Sequence, residues 1–586
     1  MKLRDTVISL FLSALTNSYI LFLSVSHKTP IYIDHDEVIW TKTSTFCGGE
    51  FAFYEQKWGL IVLVLCLIYP LRAIIDPYYI PIIRPFIVFL VCFLILKMLR
   101  KLFKDERTIL FVTLLHFSYF IGVPGSPYHI FSLIRIFSPS YFLLFFLIFY
   151  ISFLNFLESR TKRNKVIAGL AFGITFYSSS HWYLYATVSI VLMTLYFAIS
   201  KRNEELKDSI QIILIGIAFG IPSLIFNYFQ FQILGESVRR GGYFITGVHK
   251  IMASDPQEMY IMLGFFTLST VSFLLSRNFS PKSMFCLLSS FSGIILVLVE
   301  LVSGVFILTL NHVVYQFNLF NRINLGFAFE RISSNKKISF LLILLTAVIF
   351  VTVWITFFRF FFQTTTKESN IPKWAYELIK IDINKQKKLE KISEWVKKNT
   401  ESNSVIIFEG KESFIKYTEM FDELKISLMS ERYVFHSIIN FFSDLSDHEV
   451  FERFILREKL IGNTVNDLKD MNKIPPGFSA FGRFWEVQKY TGRAFFGMPQ
   501  NFQIEKYPTN SLAIQEFIKE TIRLFSDEKY LIGLIDKYKI DYIIRLKPKK
   551  ENEIYLELLT KIEDYYVFRL KKENIKINGF NKNNQP

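Results

Sequence analysis

The sequence predicts a polytopic α-helical membrane protein carrying a carboxy-terminal soluble α/β domain, and three observations predict it. Of 586 residues, 51% are hydrophobic and 17% aromatic, with 64 Phe. That is more apolar surface than a soluble fold can hide. Charged residues still make up 20%, close to the share in soluble proteins. The two facts agree only if apolar and charged residues occupy different regions. The charge count locates the division: residues 363–586 hold 37 Lys and Arg against 33 Asp and Glu, whereas residues 1–362 hold 30 against 18. Disorder, a disulfide scaffold and a single soluble enzyme domain are excluded.

Residues 1–362 form the membrane domain on this reading. Apolar runs that approach or cross a hydrocarbon core of about 30 Å occur at 7–25, 59–75, 81–99, 108–123, 139–157, 166–180, 183–199, 209–234, 259–276, 284–309 and 338–362. The first follows Lys2 and Arg4 without a small-residue cleavage site, so it reads as a retained helix. Five short basic clusters, at 97–107, 158–165, 200–207, 277–282 and 331–337, read as cytoplasmic loops. The excess positive charge therefore records topology, and nucleic acid is not an expected partner. Placing all five clusters inside requires that 59–75, broken by Pro70, lie in the outer interface or re-enter. It also requires His312–Phe329 to cross, despite Gln316, Asn321 and Arg322. The result is about eleven spans, with the amino terminus inside. The loops 27–58, 124–138 and 235–258 fall outside, as does everything after about residue 362.

Residues 363–586 read as an α/β domain of alternating periodicities. Leu389–Asn399 has helical spacing and Ser404–Phe408 is β-like; Tyr530–Tyr538 and Ile540–Arg545 repeat that order. Tyr555–Ile562, followed by Tyr565–Leu570, reads as a third helix-then-strand pair. Pro475–Pro508 reads as loop. No phosphate loop, nucleophile elbow or zinc spacing occurs there. The four cysteines, Cys47, Cys66, Cys92 and Cys286, form neither metal spacing nor a disulfide framework.

The strongest chemical signal follows the first helix: Ile33-Asp34-His35-Asp36-Glu37-Val38-Ile39-Trp40. Three carboxylates and a His within four positions suit a general base and oxygen ligation of a divalent cation, Mg or Mn, by Asp36 and Glu37 with His35 beside them. A solvated loop whose acids have no role is the plainer alternative. Arg suits phosphate through its planar fork of donors, and the candidates are Arg135, Arg239, Arg240 and Arg322. The first three read equally well as head-group contacts. Arg322 inside a span is costlier and so points more strongly to function. His181, beside Trp182 at a helix end, reads more readily as an interfacial residue than as a catalyst.

The order of these features resembles the GT-C glycosyltransferases, polytopic enzymes that take sugars from polyprenyl-phosphate carriers. Asp36-Glu37, then Trp40 and Lys42, is similar to the acidic pair, aromatic and basic residue that follow helix one in many of them. Gly169–Gly173 with His181 resembles a Gly-rich helix followed by His in bacterial members, and Gln316 with Arg322 resembles their late polar helix. Ile392, Trp395, Asn399-Thr400 and Ser404–Phe408, then Leu534–Tyr538 and Asp541-Tyr542-Ile543, resemble their outer domain. The resemblance implies Asp36 as base, with Asp34 and Glu37 as neighbours or metal ligands. It also implies a lipid-linked sugar donor, substrate contacts from Trp40, His181, Gln316 and the arginines, and a glycan, lipid or protein acceptor. The bacterial inner (plasma) membrane, with the tail outside, is the implied location. Phe-rich helices are expected to leave a groove for the lipid tail. Two departures stand out. No second acidic motif occupies 124–138, leaving Asp76 as a candidate with Arg84 as its expected ion-pair partner. The His, Pro and Gly run of relatives is missing between Gly48 and Trp58. A transporter or flippase of lipid-linked sugars, and a non-catalytic envelope scaffold, are the competing readings.

Overall fold

The computed structural model describes residues 3–28, 67, 70–71, 73–118, 141–178, 180–233, 256–303, 309–366, 383–409, 417–435, 447–465, 512–546 and 555–578. The amino-terminal part is helical: α1 (Leu3–His27), α2 (Arg84–Leu102), α3 (Glu106–Ser118), α4 (Phe142–Glu158), α5 (Lys162–Thr175), α6 (Ser180–Ile199), α7 (Asn203–Ile233), α8 (Pro256–Ser276), α9 (Pro281–Ser303), α10 (Thr309–Ile332) and α11 (Lys336–Thr366). Each apolar run except 59–75, of which only residues 67, 70–71 and 73–75 are described, overlaps one of them. Among the described residues, five segments are long and apolar enough to cross a membrane: Tyr78–Leu102, Trp182–Ile199, Asn203–Ile225, Pro281–Val299 and Lys336–Ile355.

Central α4 is apolar around its whole circumference, as a helix surrounded by others must be. Its Phe142, Phe146, Phe149, Phe153 and Phe156 are all fully buried. They stack into the core, Phe153 against Phe285 at 4.5 Å and Phe146 against Trp182 at 5.3 Å between ring centres. These five phenylalanines of α4 are spent on packing and line no lipid-facing groove. The apolar outer surface comes instead from helices such as α11, where Phe340, Leu341, Leu345 and Ile355 are exposed.

The pair α5 and α7 meets through small residues that let the two backbones approach closely. Both carry glycines four apart, Gly169 and Gly173 facing Gly216 and Gly220. A Cβ on Gly173 would lie 2.9 Å from the Gly216 carbonyl oxygen, and one on Gly216 would lie 2.2 Å from Phe172. The glycine-rich helix seen in the sequence is thus a packing surface.

Charged residues gather at one rim, where the five basic clusters meet. Arg100 donates twice to Asp5, at 2.6 Å each, and once to Glu106 at 2.7 Å. Arg4 also pairs with Glu106. Lys101 and Lys282 both reach Glu158, at 3.0 and 3.5 Å. The Lys104 amide donates to Glu330, while Arg160 and Lys165 converge on Asp208 at 2.6 and 3.1 Å. Lys201 and Arg277 end α6 and α8 in left-handed conformation (φ 53° and 55°), their positive charge beside the negative helix ends.

The tail contains α12 (Ile383–Asn399), β1 (Val405–Phe408), α13 (Tyr417–Ser430), β2 (Tyr433–Val434), α14 (Asp447–Leu460), α15 (Leu512–Ser526), α16 (Glu528–Tyr538), β3 (Ile540–Arg545), β4 (Leu556–Ile562), β5 (Tyr565–Leu570) and α17 (Lys572–Asn578). The sheet runs β2-β1-β3-β5-β4, parallel through β2, β1 and β3 and antiparallel beyond. Alternation divides its side chains: Val405 and Ile407 join a core with α14 and α16, Ile406 and Phe408 one with α12 and α13.

One element departs from expectation. Residues 556–562 form a strand, not a helix. Leu558 pairs with Phe568 and Thr560 with Val567, so Leu559 is an extra residue in the ladder. A bulge breaks the period of two and leaves apolar residues at a spacing that mimics a helix. The tight turn at Glu563 (φ 53°) and Asp564 then closes the hairpin. The proposed loop at Pro475–Pro508 lies outside the described residues.

A 3-10 helix, Pro77–Ile83, leads into α2 and docks on the tail. Tyr78 enters the core of α12 and α13; its hydroxyl donates to Glu390 at 2.6 Å and accepts from Gln386 at 2.7 Å. Asp76 caps this helix by accepting from the Tyr78 amide. The carboxylate of Asp76 pairs with Lys397 at 3.5 Å, correcting the expected pairing with Arg84, which is buried at the start of α2.

The glycine contact sets a measurable expectation. Gly173→Val should cost about 1–3 kcal/mol by overpacking and lower the thermal midpoint in detergent. Gly264→Val, where a Cβ meets nothing within 4 Å, should leave it near wild type.

Candidate functional site

The sequence between Thr309 and Phe329 has no Pro and no acidic residue, yet carries Gln316, Asn318, Asn321, Arg322 and Asn324. It folds as α10, a single helix of 24 residues, about 36 Å long at 1.5 Å per residue. It lies between α8 and α9 and runs along α3. Gly326 permits that approach, since a Cβ there would lie 2.5 Å from Val112 and 2.7 Å from Phe103.

Five polar side chains of α10 are buried: Gln316 and Asn321 and Asn324 at 0%, Asn318 and Arg322 at 2% exposure. At 100° per residue, Tyr315, Asn318 and Arg322 share one face, Asn321 adjoins it, and Asn324 lies further round. Hydrogen bonds follow that arc. Asn324 donates to Ser290 of α9 at 2.8 Å, and Ser269 of α8 donates to the Asn321 carbonyl at 2.5 Å. On the remaining face, Arg322 Nη1 lies 3.2 Å from His116 Nδ1 of α3, and His116 Nε2 lies 3.1 Å from the Tyr315 hydroxyl. The guanidinium also stands over the Phe265 ring, 5.7 Å from its centre.

These contacts determine the histidine's tautomer. A guanidinium has only donors, so Nδ1 of His116 must accept with its lone pair. The ring proton then sits on Nε2 and is donated to Tyr315. An imidazolium would have no lone pair to offer. The sequence reading missed His116 and Tyr315; the available signal was a His inside the apolar run 108–123, where an ionisable side chain calls for a named partner.

Of the other residues singled out by the sequence, Asp34, His35, Asp36, Glu37, Trp40, Arg135, Arg239 and Arg240 lie outside the described residues. His181 is the second residue of α6, its side chain also outside the description. Gln316 and Arg322 are brought into the bundle on one helix, but six positions apart and so about 120° from each other around it. Among the described residues no group of three His, Cys, Asp or Glu side chains could hold a metal ion.

The tail has a second basic cluster, at the carboxyl ends of β1 and β3, where open α/β sheets bind ligands. Arg457 is 2.8 Å from Glu458, 3.7 Å from Glu423 and donates to the Phe408 carbonyl at 3.4 Å. Arg545 stands over Phe568 at 4.7 Å, where burial pulls its pKa down. These side chains are absorbed into the domain core.

The chain matches no protein-family model and no curated protein.

The hydrogen bonds at His116 make a prediction. His116→Leu removes the acceptor from a buried guanidinium and should cost about 1.5–3 kcal/mol, read as a lower thermal midpoint in detergent. His116→Gln, which offers both an acceptor and a donor, should recover most of it.

Proposed function

We propose that this protein is a GT-C-like glycosyltransferase that moves a sugar from a polyprenyl-phosphate donor to a glycan, lipid or protein acceptor outside the membrane. The observation that carries the reading is the arginine of α10, buried within the helix bundle and held by a neutral imidazole. Such a residue is expensive in a membrane and is expected where an anionic group must be met. It is supported by the acidic residues Asp34, Asp36 and Glu37, which follow the end of α1 by seven to ten positions.

Orientation supports the same reading. The rim that joins Arg4, Arg100, Lys101 and Lys282 carries all five basic clusters, as a cytoplasmic face does. The tail docks through Tyr78 at the other end of α2. On this proposal the tail, the end of α1 and loop 27–58 are extracytoplasmic, α10 crosses the membrane, and the domain has about eleven spans in a bacterial inner membrane.

The chemistry follows from these residues. Asp36 takes the proton of the acceptor hydroxyl, whose oxygen attacks the anomeric carbon of the donor sugar. The bond from that carbon to the carrier phosphate breaks, and the phosphate leaves with the electron pair. Arg322 meets the added charge with a forked donor, in surroundings that exclude water. His116 fixes the guanidinium and donates its remaining proton to Tyr315. Gln316, Arg135, Arg239, Arg240, His181 and Trp40 are the further substrate contacts of this proposal. Asp36 and Glu37, with His35, would hold a divalent cation, which would add charge to the same phosphate.

Two measurements test it. Membranes carrying Asp36→Asn should lose sugar transfer at least a hundredfold with unchanged protein level; full transfer in Asp36→Asn, Asp34→Asn and Glu37→Gln would sink the enzyme reading and favour a flippase or scaffold. Ser526, exposed at the end of α15, should react as Ser526→Cys with a membrane-impermeant thiol reagent in intact cells lacking Cys47 and Cys66. Protection until the membrane is opened would invert the orientation.

A further inference from the structure

The polar arc of α10 holds more hydrogen-bonding capacity than its neighbours use. Asn318 is 2% exposed, and among the described residues its amide nitrogen has no hydrogen-bond partner; the same holds for the amide nitrogen of Asn321, which is fully buried. Thr270 of α8, the residue after the Ser269 that bonds Asn321, has a buried hydroxyl in the same condition. Among hydrocarbon-spanning helices a buried donor without an acceptor costs free energy that folding does not return. Such groups are therefore kept where something else supplies the acceptor.

The identity of that acceptor follows from the donor set. Asn318 and Arg322 are four residues apart, so their Cβ atoms lie about 5–6 Å apart on one helix face. Asn321 adjoins them. Two amide N–H₂ groups and a guanidinium offer donors only at these atoms, and α10 contributes no carboxylate before Glu330. Donors set close together on one helix beside a fixed positive charge fit a tetrahedral oxyanion, which has several acceptor oxygens to share among them. Depth narrows its source. Asn318 is fourteen residues from Ile332, whose end of α10 lies at the charged rim, hence about 21 Å along the helix. That is in the half of a roughly 30 Å core nearer the tail.

We propose that Asn318, with Asn321 beside it, binds a phosphate-type oxyanion jointly with Arg322, and that Asn318 is the residue that decides affinity for it. The proposal deepens the glycosyltransferase reading, since a lipid-borne phosphate is the donor's leaving group, but it is a statement about binding and is tested by binding.

The test uses the full-length protein in detergent with three probes: a long-chain polyprenyl monophosphate, the corresponding polyprenol, and inorganic phosphate. Affinity is read by thermal shift and by titration. The polyprenyl monophosphate should bind and the polyprenol should not compete with it. Asn318→Leu should weaken binding about tenfold or more, the loss of one hydrogen bond to a charged group. Asn318→Asp places a carboxylate one turn from Arg322, so it should fold at least as stably and bind more weakly still. Inorganic phosphate binding with the same Asn318 dependence would also support an oxyanion site and assign it to a free anion. Unchanged affinity in a folded Asn318→Asp protein, equal binding of polyprenol, or no binding of either phosphate would overturn the proposal. Phosphate binding without sugar transfer would leave the site standing and remove the transferase reading. Transfer with an unchanged donor KM in Asn318→Leu would do the reverse.

Discussion

A guanidinium buried inside a helix bundle has to be matched by groups that the fold brings to it, because burial leaves little water to make up a deficit. Arg322 imposes that condition here, and the neutral imidazole of His116 answers it. The bond requires a helix from one part of the chain, α3, to lie against another more than two hundred residues later. It requires a glycine at position 326 so that the two backbones can approach. It makes one tautomer of His116 the working one, with Tyr315 as receiver of the ring proton. Much of the packing around α10 follows from keeping this polar helix inside a bundle whose outer surface is apolar.

Two other constraints frame that core. At one end, ion pairs draw the amino terminus of α1, the carboxyl end of α2 and the short basic loops into one rim. Singly, the exposed pairs among them contribute about 0–1 kcal/mol each, so their larger effect is to align helix ends. At the other end, Tyr78 is shared between the membrane bundle and the tail, with its hydroxyl both donating and accepting. The bundle thus has a charged end and a docked end, and α10 runs between them with its polar face toward α3 and α8.

Legibility in the sequence tracked how local each cause was. Long apolar runs and clustered Lys and Arg depend on neighbours in the chain, and the helices of the membrane half were readable from them. The same holds for Ile540–Arg545 and Ser404–Phe408, short β-branched runs bounded by turn residues. Leu556–Ile562 was misread because its strand contains a bulge, whose cause is the partner strand. Gly169 and Gly173 stood out, but their purpose needs the second glycine pair on α7. The sequence suggests Arg84, eight positions along the chain, as the partner of Asp76, whereas Lys397, over three hundred residues away, is the one that meets it in space.

The candidate site divides in the same way. By itself the sequence determined that long apolar runs crowd residues 1–362 ahead of a more charged tail of α/β pattern, that three acids follow the first apolar run, and that an arginine lies in the polar-flecked stretch 312–329. Each is a matter of composition or order along the chain. Only the tertiary structure decided what the arginine touches: His116 and Phe265, brought from two other helices, and a face shared with Asn318. Hydrogen bonding in a membrane interior is settled between helices, and which helices meet is decided by packing across the whole bundle.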